Sequence, residues 1–559
     1  MPKGLRLAGI LTALALVMTG CSSIPSDGAV RAGQLVEPDD NPPPIFLPSL
    51  PEKGGSPESI VRGFIGAASS PEDNYAIARK FLTTDSTWDP NAGVTVDDGS
   101  ARPAIALDDK TVQLSVNPVA EVDATGVYGE VESPSPVFLR YRLAQVAGEW
   151  RITEAPPGIV IDRSTFSQVF SPEALYFFDP SFRYLVPDLR WYPRGPTTPT
   201  RIVKGLLAGP SPWLVGAVAT AFPAGTNLTA DAVQVVARDA KVDLDSEALS
   251  ADRVAMQRMQ AQLGNSLPAG LTVSITINQN SQDITESETN APIVNPRVDA
   301  RALVLRDGAF GFLASTGEAL TTIPGLSESI SAMNPRAVTL APGQTVAAVL
   351  ADGGVHRVAV GDAPEILDPR QGLVPPSVDT YGYVWSVPME RPGELFVYNP
   401  EGAAIAVPTT WPEATSIHSL RLSRDGTRLA ALLRTGSDTR FVVAAVKRDK
   451  NVPVGLGDPE TLATIEGTPL DATWIDDLTV ASLSQLPNGE ERIVAQQIGG
   501  VRTSIASAPD TVSITGGNTM RELRALSAPG ALLVQRGVGW QVRIGGIDMV
   551  ATQQGDGSG

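Results

Sequence analysis

The chain has 559 residues, 42% hydrophobic and 19% charged, which is material for several cores and, at usual domain sizes, for three or four domains. Its formal net charge of −18 gives an average surface that repels nucleic acid, anionic lipid and anionic wall polymers, and nucleic-acid binding is set aside as a function. A single cysteine excludes an internal disulfide, and two histidines, His356 and His418, are all that a histidine triad or multi-histidine zinc site could draw on.

At the amino end, Lys3 and Arg6 precede an apolar core from Ala8 to Met18, and Thr19-Gly20-Cys21 follows. A core of roughly eleven residues is too short to span a ~30 Å hydrocarbon layer, so it reads as an export signal and not a permanent anchor. Small residues directly before the only cysteine resemble a bacterial lipobox, with Met18 where leucine is commoner. The lipobox implies a signal peptide over 1–20, cleavage between Gly20 and Cys21, and diacylglyceryl and N-acyl chains on Cys21. Two such chains, at ~0.8 kcal/mol per buried CH₂, hold a protein on a bilayer essentially permanently. The expected location is the extracytoplasmic face of the cell membrane. An incidental cysteine after an ordinary cleavage site is the competing reading. Loss of the signal, with Lys3 and Arg6, takes the formal charge to −20.

Residues 21–55 form a proline-rich tether, with Pro42-Pro43-Pro44, Pro48 and Pro51, expected to be extended; Ile45, Phe46 and Leu47 are expected to dock on the first domain. That domain, 56–160, opens at Ser56-Pro57-Glu58, a cap, a first-turn proline and an acid at the positive end of the helix dipole. A second helix is predicted from Ser70-Pro71-Glu72 through Tyr75, Ala78 and Leu82. Alternation at Val112, Leu114 and Val116, and from Val137 to Leu143, then predicts antiparallel strands, giving a small α+β domain with a curved sheet wrapped on its helices and any pocket free of histidine and cysteine.

A second α+β domain is read over 165–290. It has a strand at Ala174–Asp179, a helix from about Thr200 stopped by Gly209-Pro210, strands at Val233/Val235 and Val242/Leu244, a helix from Ser250 to Leu263 with Gly264 as terminator, and a strand over Leu271–Ile277. The run Arg201-Ile-Val-Lys-Gly-Leu-Leu-Ala-Gly-Pro-Ser-Pro-Trp-Leu214, with Ala221-Phe-Pro-Ala-Gly-Thr226 and Val242-Asp-Leu-Asp245, resembles the GerMN module first described in spore germination proteins. Together with the lipobox, the Ser56–Phe64 helix and Ala78-Arg-Lys-Phe-Leu-Thr83, it resembles the LpqB family of bacterial lipoproteins over nearly the whole mature chain.

Residues 295–550 carry internal repeats. Leu340–Leu350, Leu422–Leu433 and Leu526–Val534 each place a tight turn between apolar strands, and Ser377–Trp385 and Leu470–Val480 form a second recurring type. A spacing of about forty to fifty residues is the scale of a propeller blade, predicting an all-β propeller-like domain of five or six blades, closed or open; the family resemblance implies the same. Residues 551–559 are expected to be a disordered tail.

Asp243 and Asp245 stand two apart on an alternating strand, where carboxylates about 7 Å apart could serve acid–base hydrolysis or calcium, or simply form a solvated face. Asp97-Asp98, Asp108-Asp109 and Asp476-Asp477 read as turn residues. No GxSxG, GxGxxG or Walker motif is present, so no catalytic residue, metal ligand or cofactor is nominated. The cluster Arg190, Trp191, Tyr192 and Arg194 has the residue types that anchor interfaces and stack on sugars, and is the candidate partner-binding site; the alternative is that its aromatics cap a core.

Three function classes remain. The resemblance implies a non-enzymatic lipid-anchored lipoprotein acting on the extracytoplasmic part of a membrane sensor histidine kinase, and so on two-component signalling, cell-envelope homeostasis or division. The second is a binding module for cell-wall glycan or peptide. The third is a propeller hydrolase.

Overall fold

The computed structural model describes residues 48–555 apart from 132–134, 286–290, 507 and 538. The signal peptide, Gly20, Cys21, most of the tether and Ile45–Leu47 lie outside the described residues.

Helix α1, Pro57–Ala68, begins as its sequence dictates: Ser56 Oγ accepts the Ser59 amide at 3.2 Å, Pro57 occupies the first turn, and Ile60, Val61, Phe64 and Ile65 are buried. The second helix differs from expectation. Asp73, Asn74 and Tyr75 take left-handed backbone angles, leaving a 3₁₀ turn over Glu72–Asn74 and a four-residue helix α2, Ala76–Arg79. Asp and Asn tolerate that region better than most side chains. The break turns the Tyr75 ring edge-on to Trp88 at 5.9 Å, and the Arg79 guanidinium donates to the Asn74 carbonyl thus freed, at 2.9 Å.

Two four-stranded sheets complete the first domain. Strands β1 (Gly93–Asp97), β4 (Pro118–Asp123), β5 (Tyr128–Glu130) and β8 (Ile159–Asp162) form one, in the order β5-β4-β1-β8; β2 (Ala104–Asp108), β3 (Thr111–Val116), β6 (Val137–Val146) and β7 (Glu149–Glu154) form the other in chain order. Val112, Leu114, Val116, Tyr141, Leu143 and Ile152 share one core with α1, as the alternation predicts. A helix not foreseen, α3 (Arg163–Val169), starts where Asp162 accepts the amides of Ser164 at 3.1 Å and Thr165 at 3.0 Å. It runs straight into the middle domain, so the boundary is an ordered helix.

The middle domain is α+β. A long hairpin, β9 (Phe170–Phe178) with β10 (Tyr184–Pro193), packs on α4 (Thr198–Ala208) and α5 (Arg253–Ser266). A second sheet follows the order β11 (Gln234–Val236), β12 (Asp239–Leu244), β13 (Thr272–Ile277), β14 (Asn280–Ser281), with β12 and β13 parallel across the α5 crossover. Helix α5 passes Gly264 and ends after Ser266, whose Oγ donates to the Gln262 carbonyl and accepts the Tyr176 amide, so tertiary contacts carry the last turn past the glycine. A short strand, β15 (Ile293–Val294), pairs with the start of β10 and leads into the third domain.

That domain is a ring of six sheets. Blade 1 contains Leu303–Arg306, Ala309–Leu313 and Leu320–Thr321; blade 2 spans 337–368, blade 3 spans 377–406, blade 4 spans 416–465, blade 5 spans 468–505 and blade 6 spans 511–544. The C-terminal strand Ile547–Val550 returns to pair with Leu303–Arg306, setting Val304 opposite Val550, which joins the last blade to the first and covers the Leu303–Arg306 edge. Among the described residues the blades therefore number six, and this pairing joins the sixth to the first.

The expected disordered tail is corrected for 551–555. Ala551 is buried, Thr552–Gln553 pair in parallel with Thr339–Leu340 of blade 2, and the Gln554 side chain reaches the Leu422 carbonyl of blade 4 at 3.4 Å. Apolar Val550 and Ala551 continue the closing strand inward, and the glutamines satisfy backbone groups there; residues 556–559 lie outside the described residues.

Candidate functional site

The cluster expected at a partner surface is an internal joint. On β10, Arg190, Trp191 and Tyr192 are buried, and of the four candidates only Arg194 is exposed. Arg190 donates to the Asp188 carboxylate at 2.8 Å and to the Thr125 carbonyl of the first domain at 3.0 Å. Burial alone would lower the Arg190 pKa, but the adjacent Asp188 carboxylate outweighs it and raises it. Trp191 packs on Tyr128 and Phe166 with ring centroids 5.5 and 4.9 Å away, inside the first domain's core, while its indole N–H reaches the Gly499 carbonyl of blade 5 at 2.9 Å. Burial pushes the Tyr192 hydroxyl up to about 12. Gly126 (φ +92°) makes this approach possible, because a Cβ there would meet the Tyr192 ring at 3.0 Å and the Trp191 carbonyl at 3.1 Å. Flat aromatics beside arginine do anchor an interface here, but it joins the domains of this chain.

The carboxylate pair is likewise structural. Asp243 lies near the end of β12 and Asp245 just past it. Asp243 accepts from the Thr276 hydroxyl at 2.6 Å, the Gln279 amide at 2.8 Å and the Thr229 hydroxyl, whereas Asp245 accepts from the Asn227 amide at 3.0 Å. Burial opposes ionisation of Asp243, yet these hydrogen bonds prevail and hold its carboxyl below the usual range. The two clasp neighbouring loop segments to the strand. His356 Nε2 lies 3.0 Å from the Asp352 carbonyl, and His418 Nε2 lies 3.2 Å from Ser416 Oγ; burial lowers the His418 pKa. Among the described residues no group of three or more His, Cys, Asp or Glu is placed to hold a metal ion.

The large concavity lies in the first domain, where Asp97 at the end of β1 stands opposite Asp162 at the end of parallel β8. This open cleft, about 830 Å³, has Ile65 and Leu114 in its floor, and its lining contains no histidine or cysteine. Arg62 comes from α1, Arg102 from the loop before β2 and Arg163 from the first turn of α3. Arg102 is fixed by two bonds to buried Asp97, at 2.5 and 2.9 Å. Asp162 caps α3; burial works against its ionisation, but bonds from Thr165 and Ser164 bring its pKa down to about 2. Asp98 forms an Asx turn with the Ser100 amide at 2.9 Å, and hydrogen bonds from Ser100 lower its pKa. Sequence reading missed the three arginines, since each stands alone in its own segment and only the fold assembles them.

Comparison with known proteins places three families along the chain in this order. Residues 50–167 match "Lipoprotein LpqB, N-terminal domain", residues 174–283 match "Sporulation and spore germination", and residues 311–549 match "Lipoprotein LpqB beta-propeller domain". Among curated relatives, Lipoprotein LpqB of Cutibacterium acnes is 25% identical, with 95% of this chain and 93% of the relative covered. Lipoprotein LpqB of Nocardia farcinica is 27% identical over the same shares. Among solved structures, the nidogen/laminin complex gives a TM-score of 0.32 at 11% identity, covering 45% of this chain and 93% of that one.

Proposed function

The chain belongs to the LpqB family of lipoproteins, and on that ground we propose that it is a non-enzymatic regulatory lipoprotein, anchored through Cys21 on the extracytoplasmic face of the cell membrane, that binds the exposed part of a membrane sensor histidine kinase. The single observation that carries the non-enzymatic part is that every group nominated for chemistry is already engaged in holding the fold. Asp243 and Asp245 secure loops, and both histidines meet neighbouring polar groups of their own chain.

Anchoring supplies the physical advantage. Two molecules confined to one thin layer meet at high effective concentration, so a weak contact suffices. Cleavage between Gly20 and Cys21 and acylation of Cys21 create that confinement, and signalling, envelope homeostasis or division is the expected readout. In-cell crosslinking of the intact protein should recover the kinase ectodomain, and Cys21→Ala should abolish both the crosslink and the regulatory effect while leaving the domains folded. Full signalling by unanchored protein at native abundance would overturn the proposal.

A second reading, binding of cell-wall glycan or peptide, is favoured by the open cleft of the first domain. Sedimentation of the unanchored chain with purified wall material separates the two, since a kinase-binding protein has no need to sediment.

A further inference from the structure

We propose that the first-domain cleft is a binding site for an amphiphile with one phosphate head and an apolar tail. The inference does not depend on the kinase reading.

The donors point to an anion. Among the described residues neither Arg62 nor Arg163 has an ion pair or a hydrogen-bond acceptor, and both guanidinium-bearing residues are exposed at the cleft. Arg102 uses its Nε and one terminal nitrogen on Asp97 and leaves the other terminal nitrogen without an acceptor. Ser100 Oγ accepts from the Asn117 side-chain amide at 3.1 Å and its hydroxyl bonds the Asp98 carboxylate, so the arginines are the donors left for a ligand. On the opposite side of the balance, Asp97 is engaged by Arg102, and Asp162 receives four bonds from the amides and hydroxyls of Ser164 and Thr165. Those bonds keep Asp162 ionised, so Asp98 and Asp162 together match Arg62 and Arg163 in formal charge. A formally neutral cleft in a chain of net charge −18, with guanidinium N–H groups that lack acceptors, can hold a single phosphate through charge-assisted hydrogen bonds.

The floor points to a tail. Ile65 and Leu114 are 4% and 1% exposed, and Gly66 of α1 lines the cleft with nothing within 4 Å of where its Cβ would be. A bare helix position over an apolar floor leaves room for an acyl or prenyl chain to lie beside α1. Apolar walls with a few convergent polar groups are the usual composition of a small-molecule site.

The test is calorimetric titration of the full-length mature chain, with Cys21→Ser to remove its own acyl groups. The probes are monomeric decyl phosphate, inorganic phosphate and decanol. Decyl phosphate should bind at least about tenfold more tightly than either part alone. Arg62→Ala with Arg163→Ala should weaken it by about tenfold or more through loss of charged hydrogen bonds. Gly66→Leu, which adds a side chain into open space on a helix, should block the tail while leaving the thermal midpoint unchanged or higher. Equal binding of decanol would reduce the site to an apolar groove, and equal binding of inorganic phosphate would make the tail irrelevant; either overturns the proposal. So does absence of decyl phosphate binding, or binding that both variants leave intact.

Discussion

The indole N–H of Trp191 donates to the backbone carbonyl of Gly499 at 2.9 Å, across 308 residues of sequence. The same ring is part of the first domain's core, on a strand of the middle domain, and its hydrogen bond ends on blade 5 of the propeller. One side chain thereby touches all three domains. Two further contacts brace the same arrangement: Arg502 of blade 5 meets Glu130 of the first domain at 2.8 Å, and Tyr381 of blade 3 donates to Asp179 of the middle domain at 3.0 Å.

Trp191→Phe keeps most of the packing and removes only the bond to Gly499, which should cost about 1 kcal/mol. Trp191→Ala empties a buried aromatic site and should cost about 3–5 kcal/mol. The stronger variant should also separate the first domain's unfolding from that of the propeller, seen as two calorimetric transitions where the wild type shows a more concerted one. A single unshifted transition in Trp191→Ala would mean that the domains are coupled elsewhere.

Asp188 and Arg190 form a pair in which both side chains are 3% exposed, and Asp188 also accepts the Ser211 amide and hydroxyl at 2.7 and 2.6 Å. Replacing Asp188 by Leu strands a buried guanidinium and should cost about 3–5 kcal/mol, more than half of which the double change Asp188→Leu with Arg190→Met should recover. Denaturant midpoints of the three variants measure this directly. Additive losses in the double variant would show that the charges are not coupled.

What could be read from the sequence follows how local each cause is. The α1 cap at Ser56 depends on its immediate neighbours and was legible, as were the alternating core faces and the recurrence of blade turns. The left-handed break at Asp73–Tyr75 was not, because the Tyr75 ring that rewards it packs on Trp88, thirteen residues on. Composition nominated Arg190, Trp191, Tyr192 and Arg194 as a partner-binding site with core capping as the alternative; Trp191 and Tyr192 do sit in cores, and nothing in the sequence pointed to Gly499 and Thr125 as their polar contacts. The cleft was invisible for a related reason: Arg102 and Arg163 are brought together by the parallel pairing of β1 and β8, and Arg62 by the packing of α1 on β8, long-range contacts that no window of sequence contains.

Asp477 introduces a pH dependence. Burial raises its pKa to about 6, and one carboxylate oxygen lacks a hydrogen-bond partner. The folded state therefore holds this proton more tightly than the unfolded chain, whose carboxyl has its ordinary value near 3.9. Stability from this group is greatest at low pH, falls as pH rises from about 4 to about 6, and is then level, since the unfolded chain has released its proton first. Asp477→Asn should raise stability by about 1–2 kcal/mol at pH 7.5 and by much less at pH 4. Melting curves at both values decide it; a gain of equal size at pH 4 would mean that charge burial is not the cause.

The last prediction concerns ring closure, because the strand that seals the propeller, Ile547–Val550, comes from the opposite end of the domain to its partner Leu303–Arg306. Met549 and Ala551 belong to the blade 1 core, and the Ala551 amide bonds the Leu303 carbonyl at 2.8 Å. A chain ending at Gly546 loses those contacts and turns Leu303–Arg306 into an open edge, with unpaired backbone groups that invite pairing with a second molecule. Amide exchange over 303–306 and 337–340 should accelerate, and the truncated chain should self-associate with rising concentration. A milder probe, Met549→Ala, keeps the backbone ladder and should cost about 2–5 kcal/mol without association. The contrast between them isolates the role of the backbone: if protection of 303–306 survives truncation, the first and sixth blades hold together through side chains alone, and the returning strand is dispensable.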